Sequence, residues 1–190
     1  MRVISGSAKG RKLKDVKIDI RPTSDMVKES IFNIIQFEIE GRRVLDLFAG
    51  SGQLGIEALS RGASYAVFVD SNPQAIKLIN QNLEVCGFSG RHPEISSTFN
   101  YDVIRYLKRE ANNGSFDIIF IDPPYGTSYI TETLEIITGF DKLNTNGIII
   151  CETDAQTPVS DVPLPYYLHK EYKYGSTKIL RYNKYNKSSE

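Results

Sequence analysis

The rhythm of residues 43–152 limits the fold of this chain more than any other feature. Short apolar runs, "RVLDLF" (43–48), "YAVFVD" (65–70), "EISSTF" (94–99), "FDIIFID" (116–122) and "GIIICE" (147–152), alternate with segments of helical period. Strands that read as near-continuous apolar runs are buried on both faces, and βαβ crossovers put helices on those faces. The expectation is an α/β fold with a doubly wound, mostly parallel sheet. Helices are expected over "SGQLGIEALSR", ending at Gly62, over "NPQAIKLINQNLEVCG", and over 102–110 and 129–138. In the second of these, Asn72 can cap, Pro73 suits the first turn, and Ile76, Ile79 and Leu83 share a face. Gly87 then fits the position just past the end.

The two ends differ from this core. "MRVISGSAKGRKLK" reads as two short strands around Gly6 to Gly10, a basic hairpin or arm over residues 1–20, with one domain over 21–190. In "RPTSDMVKESIFNIIQF", Pro22 stops extension and Thr23 or Ser24 can cap. Val27, Ile31, Ile34 and Ile35 then fall on one helical face. "YYLHKEYKYGSTKILRYNK" reads as two strands joined at Gly175, and residues 183–190 as a frayed tail.

Composition excludes several classes. Hydrophobic residues make up 41% and charged residues 24% of 190 residues, ordinary for a globular protein with one core. No apolar run approaches a membrane span, and the opening residues lack the apolar core of a secretory signal. Cys86 and Cys151 lie in apolar contexts and read as buried free thiols, which fits a reducing, cytoplasmic setting. Net charge is zero, yet residues 1–14 carry Arg2, Lys9, Arg11, Lys12 and Lys14 without an acid. That asymmetry points to an acidic partner, with Arg21, Lys28 and the C-terminal lysines as further basic candidates. The alternative is a solvated, charged edge that keeps a small strand from pairing wrongly. His92 and His169 fall in surface segments. The aspartates lack histidine or cysteine company, so no metal site is expected.

Four aspartates mark the strand ends: Asp46 late in the first run, Asp70 ending the second, Asp102 after the third and Asp122 ending the fourth. In a parallel sheet, ligands bind outside the carboxyl ends of the strands. Asp46, Asp70 or Asp102 could each cap a helix. Together, uncompensated, the four would raise one another's pKa, and a positively charged ligand relieves that. The loop "DLFAGSGQLG" (46–55) formally matches G-x-G-x-x-G, a dinucleotide pattern. A pyrophosphate would sit badly beside Asp46. S-adenosylmethionine, with its sulfonium and ammonium, fits better, its ammonium lying by Asp46 directly or through water. Gly50 and Gly52 allow close backbone approach, Phe48, Ala49 and Ser51 share the loop, and Gly55 reads as helix–strand packing. Asp70, followed by Ser71, can accept both ribose hydroxyls in either kind of site.

"FDIIFIDPPYG" carries the chemistry. Pro123 and Pro124 remove two backbone donors and stiffen the turn after the strand. Asp122 and the Pro123 carbonyl can each accept one hydrogen from a planar amino group, and Tyr125 can stack on the base. Both contacts orient the nitrogen toward an incoming methyl, and Asp122 can also take the released proton.

These motifs resemble class I S-adenosylmethionine-dependent methyltransferases. More closely, the chain resembles the RsmD family of small-subunit (16S) rRNA guanine-N2 methyltransferases over nearly its whole length. "RVISGSAKGRKL", "RPTSDMVKESIFNII", "VLDLFAGSGQLGIEALSRGA" and "DIIFIDPPY" carry the likeness. The tetrapeptide alone is shared with enzymes that methylate DNA adenine or protein glutamine, and those stay as alternatives, with a nucleotide-binding module lacking methyl transfer as a third. The resemblance implies a seven-stranded sheet whose last hairpin inserts a reversed strand. It also implies ribose binding at Asp70, adenine binding at Asp102, and an rRNA substrate, free or in a small-subunit assembly. The family more often has glutamate where this chain has Asp70, a shorter arm for the same acceptors.

Overall fold

The structure, a computed structural model, describes residues 1–15, 25–90, 94–109 and 115–185. Its elements are α1 (Asp25–Ile34), β1 (Arg43–Leu47), α2 (Gln53–Ser60), β2 (Tyr65–Asp70), α3 (Pro73–Val85), β3 (Ser96–Asn100), α4 (Val103–Arg109), β4 (Phe116–Ile121), α5 (Tyr129–Gly139), β5 (Leu143–Asp154), β6 (Tyr166–Tyr174) and β7 (Thr177–Lys184). They form one seven-stranded sheet in the order β3-β2-β1-β4-β5-β7-β6. The first five strands are parallel, and β7 runs antiparallel between β5 and β6. This is the expected doubly wound sheet with an inserted reversed strand.

Alternation along the strands feeds two cores. Val44, Ala66, Phe68, Ile118, Phe120, Ile148, Ile150 and Ile179 face a layer built from α1, α2 and α3. Leu45, Leu47, Val67, Val69, Ile119, Ile121, Ile149 and Leu180 face α4 and α5. Both sides of every central strand are therefore dry, which is why these strands read as unbroken apolar runs. Helix α3 starts as expected: Asn72 Oδ1 accepts from Gln74 N at 2.9 Å with Pro73 in the first turn, and Gly87 follows the helix at φ 72°. Cys86 and Cys151 are free and buried. No helix among the described residues is long and apolar enough to cross a membrane.

Three expectations need correction. The first two strands are not strands: residues 1–13 form a loop closed by one antiparallel bridge, Arg2 to Lys12. The two sides are joined hairpin-fashion by Val3 N to Arg11 O, Gly10 N to Val3 O and Leu13 N to Met1 O, but the amides of Ile4, Ser5, Ser7 and Ala8 turn to α2, so the ladder stays at one bridge. On α1 the expected Val27, Ile31, Ile34 and Ile35 all pack against one core, Ile34 partly buried, but the buried face also takes in Phe32 and the charged Lys28. Residues 183–185 are not frayed: Asn183 and Lys184 pair within the hairpin, and Tyr185 stacks on Tyr167 with ring centroids 4.1 Å apart. The caps expected at Thr23 or Ser24, together with Arg21 and His92, lie outside the described residues.

Candidate active site

The strand order reverses between β1 and β4, so the crevice of this sheet opens above their carboxyl ends. Within five residues the chain must turn from β1 into α2. It does so with Phe48, Gly50 and Gly52 at positive φ, 59°, 52° and 76°. A phenylalanine rarely adopts that backbone. Its ring packs against Tyr129, centroids 5.2 Å apart, at the mouth of the crevice. The loop is pinned on three sides. Ala49 N donates to Val69 O at 3.1 Å, Gly52 N to Ala49 O at 2.7 Å, and Asn82 Nδ2 to Ser51 O at 2.9 Å. A Cβ on Gly50 would meet nothing closer than Phe48 O at 4.0 Å, so the loop backbone there borders open space. At Gly55 a Cβ would fall 2.3 Å from the Phe68 ring; that glycine serves helix–strand packing.

Asp46 lies beneath this loop at 1% exposure, and its Oδ2 accepts from Gly55 N at 2.9 Å. Burial drives its pKa well above the ordinary carboxylate value; the Gly55 bond opposes this, and the charges of Asp122 and Asp70 add to it. Three strand-end aspartates thus act on one point. Asp70, at the end of β2, accepts from Gly50 N with Oδ2 and from Asn72 N with Oδ1, both at 2.8 Å. It ties the glycine loop to the start of α3 and keeps lone pairs for further donors. The Asn100 amide donates to the carbonyls of Asp70 and Ser71 and closes the same corner. Asp102 caps α4, its Oδ1 accepting from Arg105 N at 2.9 Å.

Asp122 is half-buried directly after β4, and Pro123 is buried behind it. The register Ile121 to Cys151 sets this corner beside Glu152 on β5. Tyr125 is 39% exposed, and its hydroxyl lies 3.1 Å from both Glu152 Oε1, to which it donates, and Thr177 Oγ1. Burial first, then the Glu152 and Asp122 charges, push the phenol up to about 12, against the Thr177 bond. The ring is therefore held by its tip while the side chain stays open to solvent. Sequence reasoning missed Glu152, Thr177 and Asn100. Glu152 alone left a trace, an acid closing the apolar run "GIIICE".

The basic arm is fixed by carboxylate and amide chemistry. Buried Glu57 on α2 accepts from Ile4 N at 2.7 Å, Ser5 N at 2.9 Å and Arg61 Nε at 2.8 Å. Lys28, fully buried on α1, donates to Arg2 O at 2.6 Å, and its pKa is lowered by burial. Ser60, the last residue of α2, receives Ser7 N and Ala8 N. The turn carrying Lys9 therefore sits at the far end of α2 from the glycine loop, about 12 Å along an eight-residue helix. Lys14 lies at the near end, exchanging backbone bonds with Asn82, which also holds Ser51. Arg2, Lys9, Arg11, Lys12 and Lys14 are all exposed.

Residues 1–183 match the family described as Conserved hypothetical protein 95. YlbH of Bacillus subtilis (strain 168) is 40% identical over 186 residues, covering 97% of this chain and 99% of that protein. Ribosomal RNA small subunit methyltransferase D of Haemophilus influenzae is 33% identical over 186 residues, covering 97% and 93%. Among solved structures, yhhF from Escherichia coli aligns with a TM-score of 0.85 at 30% identity, covering 97% of this chain and 98% of that one. The chain belongs to this family, the RsmD family, and has its Rossmann-like class I methyltransferase fold.

Proposed function

We propose that this member of the RsmD family transfers a methyl group from S-adenosylmethionine to the exocyclic N2 amine of a guanine in small-subunit rRNA. The observation that carries the cofactor is the convergence of Asp70 and Asp122 on buried Asp46. That field suits a ligand bearing a sulfonium and an ammonium and opposes a pyrophosphate. The residues fit the group. Asp70 would hold the ribose hydroxyls, Asp102 and Ser71 would lie at the adenine side, and Phe48, Ala49, Gly50, Ser51 and Gly52 would wrap the methionyl part. The bound cofactor supplies an electrophilic methyl. Asp122 and the Pro123 carbonyl would accept hydrogen bonds from the two amine hydrogens, and Tyr125 would stack on the base. Asp122 would receive the one proton lost as the N–C bond forms and the methyl's bond to the sulfonium breaks, leaving a neutral thioether.

Relatives named small-subunit rRNA methyltransferase D, and the +5 charge of residues 1–14, support an rRNA substrate, free or within a small-subunit particle. The target base must leave its stack to reach Tyr125. In this reading Arg2, Lys9, Arg11, Lys12, Lys14 and Arg21 contact phosphates. Nucleoside mass spectrometry of rRNA from cells with and without the gene tests the assignment. The expected result is one N2-methylguanosine missing from 16S rRNA in the deletion. An unchanged 16S profile, or loss of a methylated adenine instead, refutes it.

A further inference from the structure

The β6–β7 hairpin holds a second concentration of aromatic and basic residues. Residues 166–185 contain six tyrosines and five lysines or arginines against one acid. The hairpin turn lies at the same sheet edge as Asp122. Thr177 pairs with Asp154 at the end of β5, and Ser176 O accepts from Ala155 N at 2.9 Å. Thr177 also touches the Tyr125 hydroxyl, and its partner across the hairpin is Tyr174. From there Tyr172 stands opposite Ile179 and Lys170 opposite Arg181. Alternation puts all three on the Ile179 face, the face that α1 covers further in. Tyr172 and Tyr174 pack one side against that core and are half-buried. Lys170 is exposed, its ammonium 5.0 Å from the centre of the Tyr172 ring. Strand β6 is the sheet's edge, and Tyr174, Tyr172 and Lys170 on it all keep solvent exposure.

We infer that this face of β6 is a track for single-stranded RNA flanking the target guanine. It starts at Tyr125 and runs down Tyr174, Tyr172 and Lys170. Half-buried rings seated on a core are stacking platforms, and the Lys170 ammonium over the Tyr172 ring adds a cation for the phosphate chain. The other four cations of the hairpin are already paired: Arg181 with Glu38, Lys184 with Asp141, and both Lys173 and Lys178 with Glu171. Lys170 has no carboxylate within ion-pair distance among the described residues, which makes it the phosphate contact of the track. The inference rests on the RNA reading above and adds where the strand lies. The arm's turn is held elsewhere, on Ser60 at the end of α2 away from the glycine loop.

The test uses the full chain, with KM for rRNA in methyl transfer and direct binding of a labelled single-stranded oligoribonucleotide. Tyr172→Leu and Tyr174→Leu are each expected to raise both constants about tenfold, the scale of one lost base stack. Tyr172→Phe and Tyr174→Phe keep the ring and stay within about twofold of wild type. Lys170→Gln should lower the slope of log affinity against log salt by about 0.7. Saturating kcat and cofactor affinity stay unchanged in all of them. Unchanged RNA constants in the leucine variants, or equal loss in the phenylalanine variants, overturn the track. So does loss of binding to small-subunit proteins with the RNA constants intact, which makes β6 a protein-pairing edge. A wild-type chain that transfers no methyl to any RNA refutes the functional reading instead, and oligonucleotide binding without cofactor separates the two failures.

Discussion

Replacing Asp46 by asparagine separates what this residue does for the fold from what it does for a ligand. Asn keeps an acceptor for Gly55 N and removes the charge that Asp122 and Asp70 oppose. The bond to Gly55 weakens from a charge-assisted to a neutral one, roughly 1 kcal/mol, and relief from burying a charge offsets it. Stability near neutral pH should therefore change by no more than about 1 kcal/mol. Asp46→Ala leaves Gly55 N without its acceptor and should cost about 1–3 kcal/mol. Cofactor binding should move further. Losing one charged partner for an ammonium is worth about 1.5–3 kcal/mol, or roughly ten- to hundredfold in Kd. The pH dependence has a defined sign. The folded pKa lies above the ordinary 3.8, so the folded state holds a proton that the unfolded state has released. That contribution is full below 3.8 and is lost as pH rises through the raised value. Wild type should thus lose stability relative to Asp46→Asn across that window, and S-adenosylmethionine should bind wild type with release of a proton. Thermal melts over a pH series, with calorimetry in buffers of different ionisation enthalpy, read both quantities. Equal cofactor affinity in wild type and the asparagine variant, with no difference in pH slope, refutes the reasoning.

Asp122→Ala and Tyr125→Ala should fold and bind cofactor while transfer of labelled methyl to rRNA falls by up to about a hundredfold, the scale of lost positioning; near-normal turnover removes this corner from the mechanism. With the Tyr125 phenol held up to about 12, its stabilising contribution is full below about 10 and is lost only as pH climbs toward 12. Ultraviolet titration should show a late phenol that is absent in Tyr125→Phe, and a titration with no such component contradicts the Glu152 and Thr177 contacts. Glu57→Leu strands Ile4 N, Ser5 N and Arg61 in a buried site; a loss of about 3–5 kcal/mol is expected, read by denaturant melts. In Glu57→Gln, hydrogen exchange should rise first over residues 1–15. Neutralising Lys9, Arg11 and Lys12 together should flatten the salt slope of RNA binding by about two units, at about 0.7 per contact, with cofactor affinity unmoved; an equal slope takes RNA docking away from the arm.

The periodic core was legible because strands covered on both faces and helices with one apolar face leave their patterns in consecutive residues. Asn72, Pro73 and Gly87 mark the ends of α3 for the same local reason. The glycine loop was legible as a turn, and Gly55 as a packing contact, because positive φ and missing side chains belong to single residues. The arm closes on itself as a hairpin does but forms no full strands, because the amides of Ile4, Ser5, Ser7 and Ala8 are satisfied by Glu57 and Ser60, more than fifty residues away. Lys28 read as a basic candidate for an acidic partner, yet it is buried to donate to the Arg2 carbonyl.

By itself, then, the sequence determined the alternating sheet, the glycine turn and the stiff Asp122 to Tyr125 corner, each written in neighbouring residues and their backbone preferences. Tertiary structure alone decided which groups face one another. It set Glu152 and Thr177 on the Tyr125 hydroxyl across 27 and 52 positions, and tied the arm to α2. It also put the β6 tyrosines on the face that leads to the corner. Hydrogen bonds and charge coupling depend on distance in space, and register between strands far apart in the chain sets that distance.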